Sequence, residues 1–431
     1  MTNNRAAIIF AAILLPGAVA KAETVAIVHA KAWTLTADAP LDDATIVLTD
    51  GRVVSATAAG PAPAGARIVD ANGKTVTPGL MHAATQIGLV EVHAASETVD
   101  YSAKKDAPGA GFDVQYAINP NSALIRLARA DGLTRAVSYP GDSGTPPFAG
   151  MGVLLRLVES GEVLERAQVG VFASIGIQSA TSTVGSRAAQ WQMLRIALDT
   201  AKAGPVEPAA ATAAATAAAK PPPQTPDALA LERVINRKLP LAILTNRESD
   251  IRQAVKLAHD YGIRVVIIGG AEAWRAAAEL AAANIPVILN PMANLPMSFD
   301  EIGSRLDNAA LLQKSGVVVA MSLGGVQGYN AGSSLREGAG IAVANGLPYI
   351  VGLRSITLAP AQIWGIDDHQ GTIAPDKDGD LVIWDGDPLE PGTLPVAVFV
   401  QGKEVSLATH QSELRDRYFP LAGISKPSVA P

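Results

Sequence analysis

Six histidines and no cysteine are the raw material for metal or nucleophilic chemistry in this chain of 431 residues. The histidines are His29, His82, His93, His259, His369 and His410. No two stand at i, i+2 on a strand end or at i, i+4 on a helix, the spacings that bring two imidazoles onto one ion. His29 and His410 fall in terminal regions, and His259 lies beside Asp260 on a polar helical face. His82 and His93 remain, flanking an apolar strand with Glu91 and Glu97 close in sequence. In an extended segment Glu91 and His93 point the same way, an arrangement suited to metal-free acid–base work. Hydrogen-bonded side chains on a loop are the plainer account of the same residues.

Three other runs look like motifs and read as turns. Gly141-Asp142-Ser143-Gly144 has the setting of a serine nucleophile, but it follows a strand-like Thr134 to Tyr139 and has no double β-barrel to supply a triad. Asp376-Lys377-Asp378-Gly379-Asp380 opens like a calcium loop, yet its glycine comes too early and position twelve is Asp387, not glutamate. Gly269-Gly270 offers free N–H groups between a strand and a helix, without the full dinucleotide fingerprint.

Composition narrows the classes. The absence of cysteine excludes disulfide scaffolds, zinc ribbons, iron–sulfur centres and a thiolate nucleophile. The net charge of −6 lacks the basic footprint of a nucleic-acid binder. Residues 1–22 read as an export signal: Arg5, an apolar run from Ala6 to Leu15, and the small-residue exit Ala20-Lys21-Ala22. That run is about half of the roughly 20 residues a spanning helix needs. The expectation is a periplasmic or secreted protein with no membrane span after signal cleavage.

The elements that must position any site fall into two styles. Residues 23–77 and 370–410 carry short β runs with turn signals, including Asp50-Gly51 and Gln401-Gly402. Neither segment suffices for a stable sheet alone, so the two chain ends are expected to pair. Between them, residues 78–369 alternate β-branched strands with helical stretches, the rhythm of βα units around a parallel sheet. Residues 205–226, almost wholly alanine, threonine and proline, interrupt it and read as a solvated, disordered insertion.

Val76-Thr77-Pro78-Gly79-Leu80-Met81-His82-Ala83-Ala84-Thr85-Gln86-Ile87-Gly88 resembles the entry strand of the metal-dependent amidohydrolase superfamily. Ser355 to Gly365 and Gly371 to Trp384 are similar to its closing helix and final strands, and the middle resembles the imidazolonepropionase-like exported branch. The likeness runs from about Thr24 to Val405. It implies a (β/α)8 TIM-type barrel with a small β-sandwich built from both chain ends. It also implies, by ancestry, hydrolysis of non-peptide C–N bonds in cyclic amides or imides. Relatives use zinc or another divalent metal at the C-terminal strand ends to make hydroxide from water.

The chain departs from that pattern where the metal would bind. The positions of the family's ligands fall on Ala84, Gln86, Asn246, Gly269 and Leu323. Hydrocarbon and backbone offer no lone pair from a side chain, and neutral amides rarely hold zinc alone. The expectation is therefore no metal, no cofactor and a catalytically impaired pseudoenzyme. His82, Gln86, Glu91, His93, Asn246 and Arg247 are the polar candidates for the barrel mouth. The alternative function is an exported protein that binds a small molecule, or a structural partner in a homo- or hetero-oligomer, without turnover.

Overall fold

The computed structural model describes residues 23–104, 107–141, 143, 145–176, 185–204, 224–293, 296–323 and 331–419. The signal-like 1–22 and all but the last residues of the 205–226 insertion lie outside the described residues, as do Asp142 and Gly144. The N-terminal β runs form β1 (Thr24–Ala32), β2 (Leu41–Thr49), β3 (Arg52–Ala58), β4 (Arg67–Asp70) and β5 (Thr75–Pro78). β1 pairs antiparallel with β2, which pairs antiparallel with β3; β4 and β5 lie parallel to β1 at different heights along its other edge.

The second sheet holds β6 (Leu80–Thr85), β7 (Leu133–Ser138), β8 (Phe148–Arg156), β9 (Leu164–Ser174), β10 (Leu241–Thr245), β11 (Val265–Gly269), β12 (Val287–Leu289) and β13 (Val319–Met321). They lie side by side in chain order, as in a barrel. One strand runs against the expectation of eight parallel ones: β8 is antiparallel to both β7 and β9. The cause is linker length. A parallel crossover needs a dozen residues or more and normally a helix, whereas the links 139–147 and 157–163 are both shorter than that. The remaining strands share one direction.

Between β13 and β6 no strand ladder forms. The Ser322 hydroxyl donates to Ala84 O at 2.6 Å at one end of this seam, and Met81 N donates to Ile356 O at 2.8 Å at the other. The helix Leu358–Trp364 packs beside the seam, sending Ala361, Ile363 and Trp364 into a core with Met81, Ala84, Val137, Phe172, Val266 and Ile288. Tyr139, Phe172 and Trp364 stack in series, with ring centroids 5.2 and 5.6 Å apart. The Trp364 indole donates to Ala83 O at 2.8 Å, so its one polar atom is satisfied inside the barrel.

The chain then returns to the first sheet as β14 (Leu381–Trp384), β15 (Pro395–Val400) and β16 (Lys403–Val405). β14 pairs antiparallel with β5, so both chain ends build one eight-stranded sheet, as the incompleteness of each had implied. Asp50-Gly51 and Gln401-Gly402 both adopt positive φ, the geometry of type I′ hairpins. The two turns abut: a Cβ on Gly402 would stand 3.0 Å from the Gly51 Cα.

One ionic latch joins the sheets. Arg135 on β7 is fully buried, with Glu165 at 2.5 Å, Asp378 at 2.9 Å and Asp380 at 2.5 Å around its guanidinium. Gln370 Nε2 donates to Asp378 at 2.7 Å, and Gln401 N donates to Asp380 at 2.7 Å. The acidic run 376–380 is thus neither a calcium loop nor a mere turn: two of its carboxylates neutralise a buried cation of the barrel. No helix among the described residues is long and apolar enough to cross a membrane.

Candidate functional site

A cleft of about 650 Å³ opens at the C-terminal ends of β9 to β13. Ser174, Thr245, Gly269, Leu289 and Ser322, each at or just past a strand end, form its floor. This is the face on which barrels of this kind carry their sites, because the strand-to-helix loops converge there. The outer wall is the segment after β12, including Asn290, Met297, Asp300, Glu301 and Asn308. A 3-10 turn at Phe299–Glu301 shapes this wall, its Asp300 N donating to the Ser298 hydroxyl at 3.3 Å.

Most of the charge in the wall is already committed. Glu301 accepts from Asn246 Nδ2 at 2.8 Å and from Met297 N at 3.0 Å. Asp300 pairs with Arg187, whose Nε also lies 3.1 Å from Asp250. Asp250 accepts from the Trp191 indole at 3.0 Å, and burial pushes its carboxyl above the ordinary aspartate range. Gly269 must be glycine: its φ is +96°, and a Cβ would lie 2.4 Å from Asn246 Oδ1.

Two buried groups in the cleft lining are unmatched. Asn308 is oriented by its Nδ2, which donates to Gly270 O at 2.9 Å, and its Oδ1 has no hydrogen-bond partner among the described residues. The same holds for the Thr245 hydroxyl. An unmade hydrogen bond at a buried atom costs about 1–3 kcal/mol. Both atoms are therefore receptive to a ligand with complementary polar groups. Tyr139, raised to about 12 by burial, lines the cleft as a neutral phenol.

The structure scatters the six polar candidates. Asn246 lines the cleft and fastens Glu301. Arg247 is exposed and serves the helix Glu248–Tyr261 through its backbone carbonyl, which accepts from Asp250 N and Ile251 N. Glu91 holds Asn119 Nδ2 at 2.9 Å and Ala123 N at 3.1 Å, capping the helix Ala123–Ala130; it is not facing His93 as an acid–base partner. His93 instead packs against Tyr101 with the two rings tilted by 58°, its Nδ1 3.4 Å from the phenol oxygen. His82 is a core group, 1% exposed, with no partner for Nδ1 among the described residues, and burial lowers it to about 4.

Gln86 and His93 do meet Ala84 and Leu323, around a void of only about 10 Å³. That is room for about one water. Tyr139 lines both this void and the main cleft. The positions that the sequence resemblance sets against the family's metal ligands are thus divided: Ala84, Gln86 and Leu323 line the void, Asn246 and Gly269 the cleft, and Tyr139 lines both.

These residues do not fit a divalent ion. The polar side chains around the void are one amide, one imidazole and the hydroxyls of Thr85 and Tyr139, and those of the cleft floor are hydroxyls and an amide. Zinc sites take three or four imidazole, thiolate or carboxylate donors, and here the two cleft carboxylates are tied to Arg187 and Asn246. One cluster with ligand-like spacing exists among the described residues, Glu165, His369 and Asp378. It surrounds Arg135, whose guanidinium already supplies the counter-charge. Asp300, Glu301, Asn308, Thr245 and Tyr139 were not singled out by sequence. The spacing of Ser298 and Glu301 was the available signal for the first two, since it matches a helix-start capping box.

Comparison with known proteins agrees with this architecture. Residues 211–408 match the model of the amidohydrolase family. A curated amidohydrolase, tasK of Hapsidospora irregularis, is 46% identical over 57 residues, which is 13% of this chain and only 6% of that protein. A solved amidohydrolase from Thermotoga maritima superposes with a TM-score of 0.77 at 23% identity, covering 89% of this chain and 99% of that one. Molinate hydrolase superposes at 0.55 with 16% identity, over 95% and 99% of the two chains. At such identities the likeness establishes the fold. The family match is confined to residues 211–408, and over the rest of the chain the likeness is one of fold.

Proposed function

We propose that the protein is an exported binding barrel on an amidohydrolase scaffold, which takes a small uncharged amide or related molecule and has lost metal-dependent hydrolysis of C–N bonds. The reading rests on one observation above all. The inherited metal positions hold Ala84, Gln86, Asn246, Gly269 and Leu323, while both cleft carboxylates are neutralised or hydrogen-bonded. Water near such a site keeps its ordinary acidity, because no ion polarises it.

What the cleft retains is recognition. Its volume of about 650 Å³ suits a small organic ligand. Apolar walls at Ile175, Ile268, Ile288 and Leu306 would take the hydrocarbon part. Asn308 Oδ1 accepts from a ligand N–H, and the Thr245 hydroxyl donates to a carbonyl or accepts from a second donor. A neutral ligand is favoured because a charged one would need a counter-charge that Asp300, Glu301 and Arg187 already spend on their own contacts.

A thermal-shift and calorimetric screen with cyclic amides, imides and dipeptides tests the reading. The expected result is saturable binding that Asn308→Leu weakens, with no product formed on long incubation. Steady release of a carboxylic acid from any of these compounds contradicts it.

A further inference from the structure

A second cavity, of about 410 Å³, opens at the opposite end of the barrel against the starts of β11, β12 and β13. Its floor is apolar and buried: Val266, Leu280, Ile285, Val317 and Ile363 are each at most 6% exposed. Its rim is polar and exposed, with Arg237, Arg264, Asn284 and Gln362. In a chain of net charge −6, no aspartate or glutamate lines this cavity. Among the described residues neither rim guanidinium makes an ion pair, in contrast to Arg135, Arg187 and Arg252. A third cation nearby, Arg166, is already engaged: it donates to Trp364 O and to Gly365 O, and Glu165 and Asp368 offset its charge.

Two uncompensated guanidiniums over a hydrocarbon-floored hollow are matched by one ligand chemistry. Arginine binds carboxylate through paired N–H groups. Burial of the attached chain then contributes about 0.8 kcal/mol per methylene. An inorganic anion would leave the floor empty, and a neutral hydrocarbon would leave the arginines unmatched. We propose that this N-terminal face binds a small amphiphilic carboxylate, its head on Arg237 and Arg264 and its tail against Leu280, Ile285, Val317 and Ile363. The site is independent of the C-terminal cleft.

Isothermal titration of the full chain with octanoate, and with octanamide as the uncharged counterpart, tests this. Octanoate is expected to bind once per chain, at least about tenfold tighter than octanamide. The double variant Arg237→Gln, Arg264→Gln is expected to lose at least about tenfold in octanoate affinity and to keep the wild-type melting temperature, both side chains being exposed. The proposal is overturned by no saturable heat with octanoate up to about 5 mM, by equal affinity for octanamide, or by undiminished binding in the double variant. Loss of octanoate binding in Asn308→Leu, with the double arginine variant unaffected, places the ligand in the other cleft and also overturns it.

Discussion

Removing the Arg135 guanidinium is the most severe single perturbation the fold offers. Arg135→Met keeps much of the aliphatic bulk and deletes the charge, leaving Glu165, Asp378 and Asp380 facing one another at 10% side-chain exposure or less. Taking one partner from a buried ionic cluster costs about 3–5 kcal/mol; Glu165 retains Arg156 at 2.9 Å and Asp378 the more distant Arg52 at 3.8 Å, so the loss falls most heavily on Asp380. The pH dependence identifies the cause. Burial already raises the Asp380 carboxyl above its ordinary value even with Arg135 present. A raised carboxyl favours the folded state at low pH, and that contribution is lost as pH rises through the folded value. Without the arginine the Asp380 carboxyl rises further, so the deficit of the variant is largest at neutral pH and shrinks on acidification as Asp380 takes up its proton. Urea denaturation followed by tryptophan fluorescence measures it, comparing midpoints at several pH values. A loss below about 1 kcal/mol at pH 7, or a deficit that grows on acidification, would refute the latch.

His82→Leu should flatten the acid limb of the stability curve. The folded value near 4 lies below the unfolded 6.5, so His82 contributes fully above pH ~6.5 and withdraws up to about 3 kcal/mol as pH falls towards 4; an unchanged limb in the variant contradicts this assignment. Glu91→Ala is expected to cost about 1 kcal/mol by uncapping the helix Ala123–Ala130, with ligand binding in the cleft intact, as read by denaturation and titration together. Gly269→Ala should destabilise by about 1–3 kcal/mol through its positive φ and the clash with Asn246, and should weaken cleft binding because Asn246 holds Glu301.

The parts of this molecule legible in sequence are those set by short-range rules. Asp50-Gly51 and Gln401-Gly402 announce hairpins through a backbone conformation that few residues adopt. The Pro78-Gly79-Leu80 run fixes the register that puts Ala84 and Gln86 beside Leu323. The reversed β8 escaped notice because its residues are as apolar as those of its parallel neighbours, and only the short links to β7 and β9 betray its direction. The Arg135 latch was hidden for another reason: two of its three carboxylates, Asp378 and Asp380, lie 243 and 245 positions away in sequence, so no local pattern joins them. Glu91 and His93 were placed side by side by strand alternation, but the segment is a loop and Glu91 turns to the helix start at Ala123. Asn308 and Thr245 carry no motif at all; they stand out only once burial and hydrogen-bond satisfaction are known.

On the proposed reading, the residues at this barrel mouth offer a catalytic ion no adequate donor set. Elemental analysis of the protein, purified without chelator in zinc-supplemented medium, tests it most directly. Less than about 0.1 divalent ion per chain is expected. About one tightly held zinc per chain, whose removal abolishes hydrolysis of a cyclic amide, would contradict it.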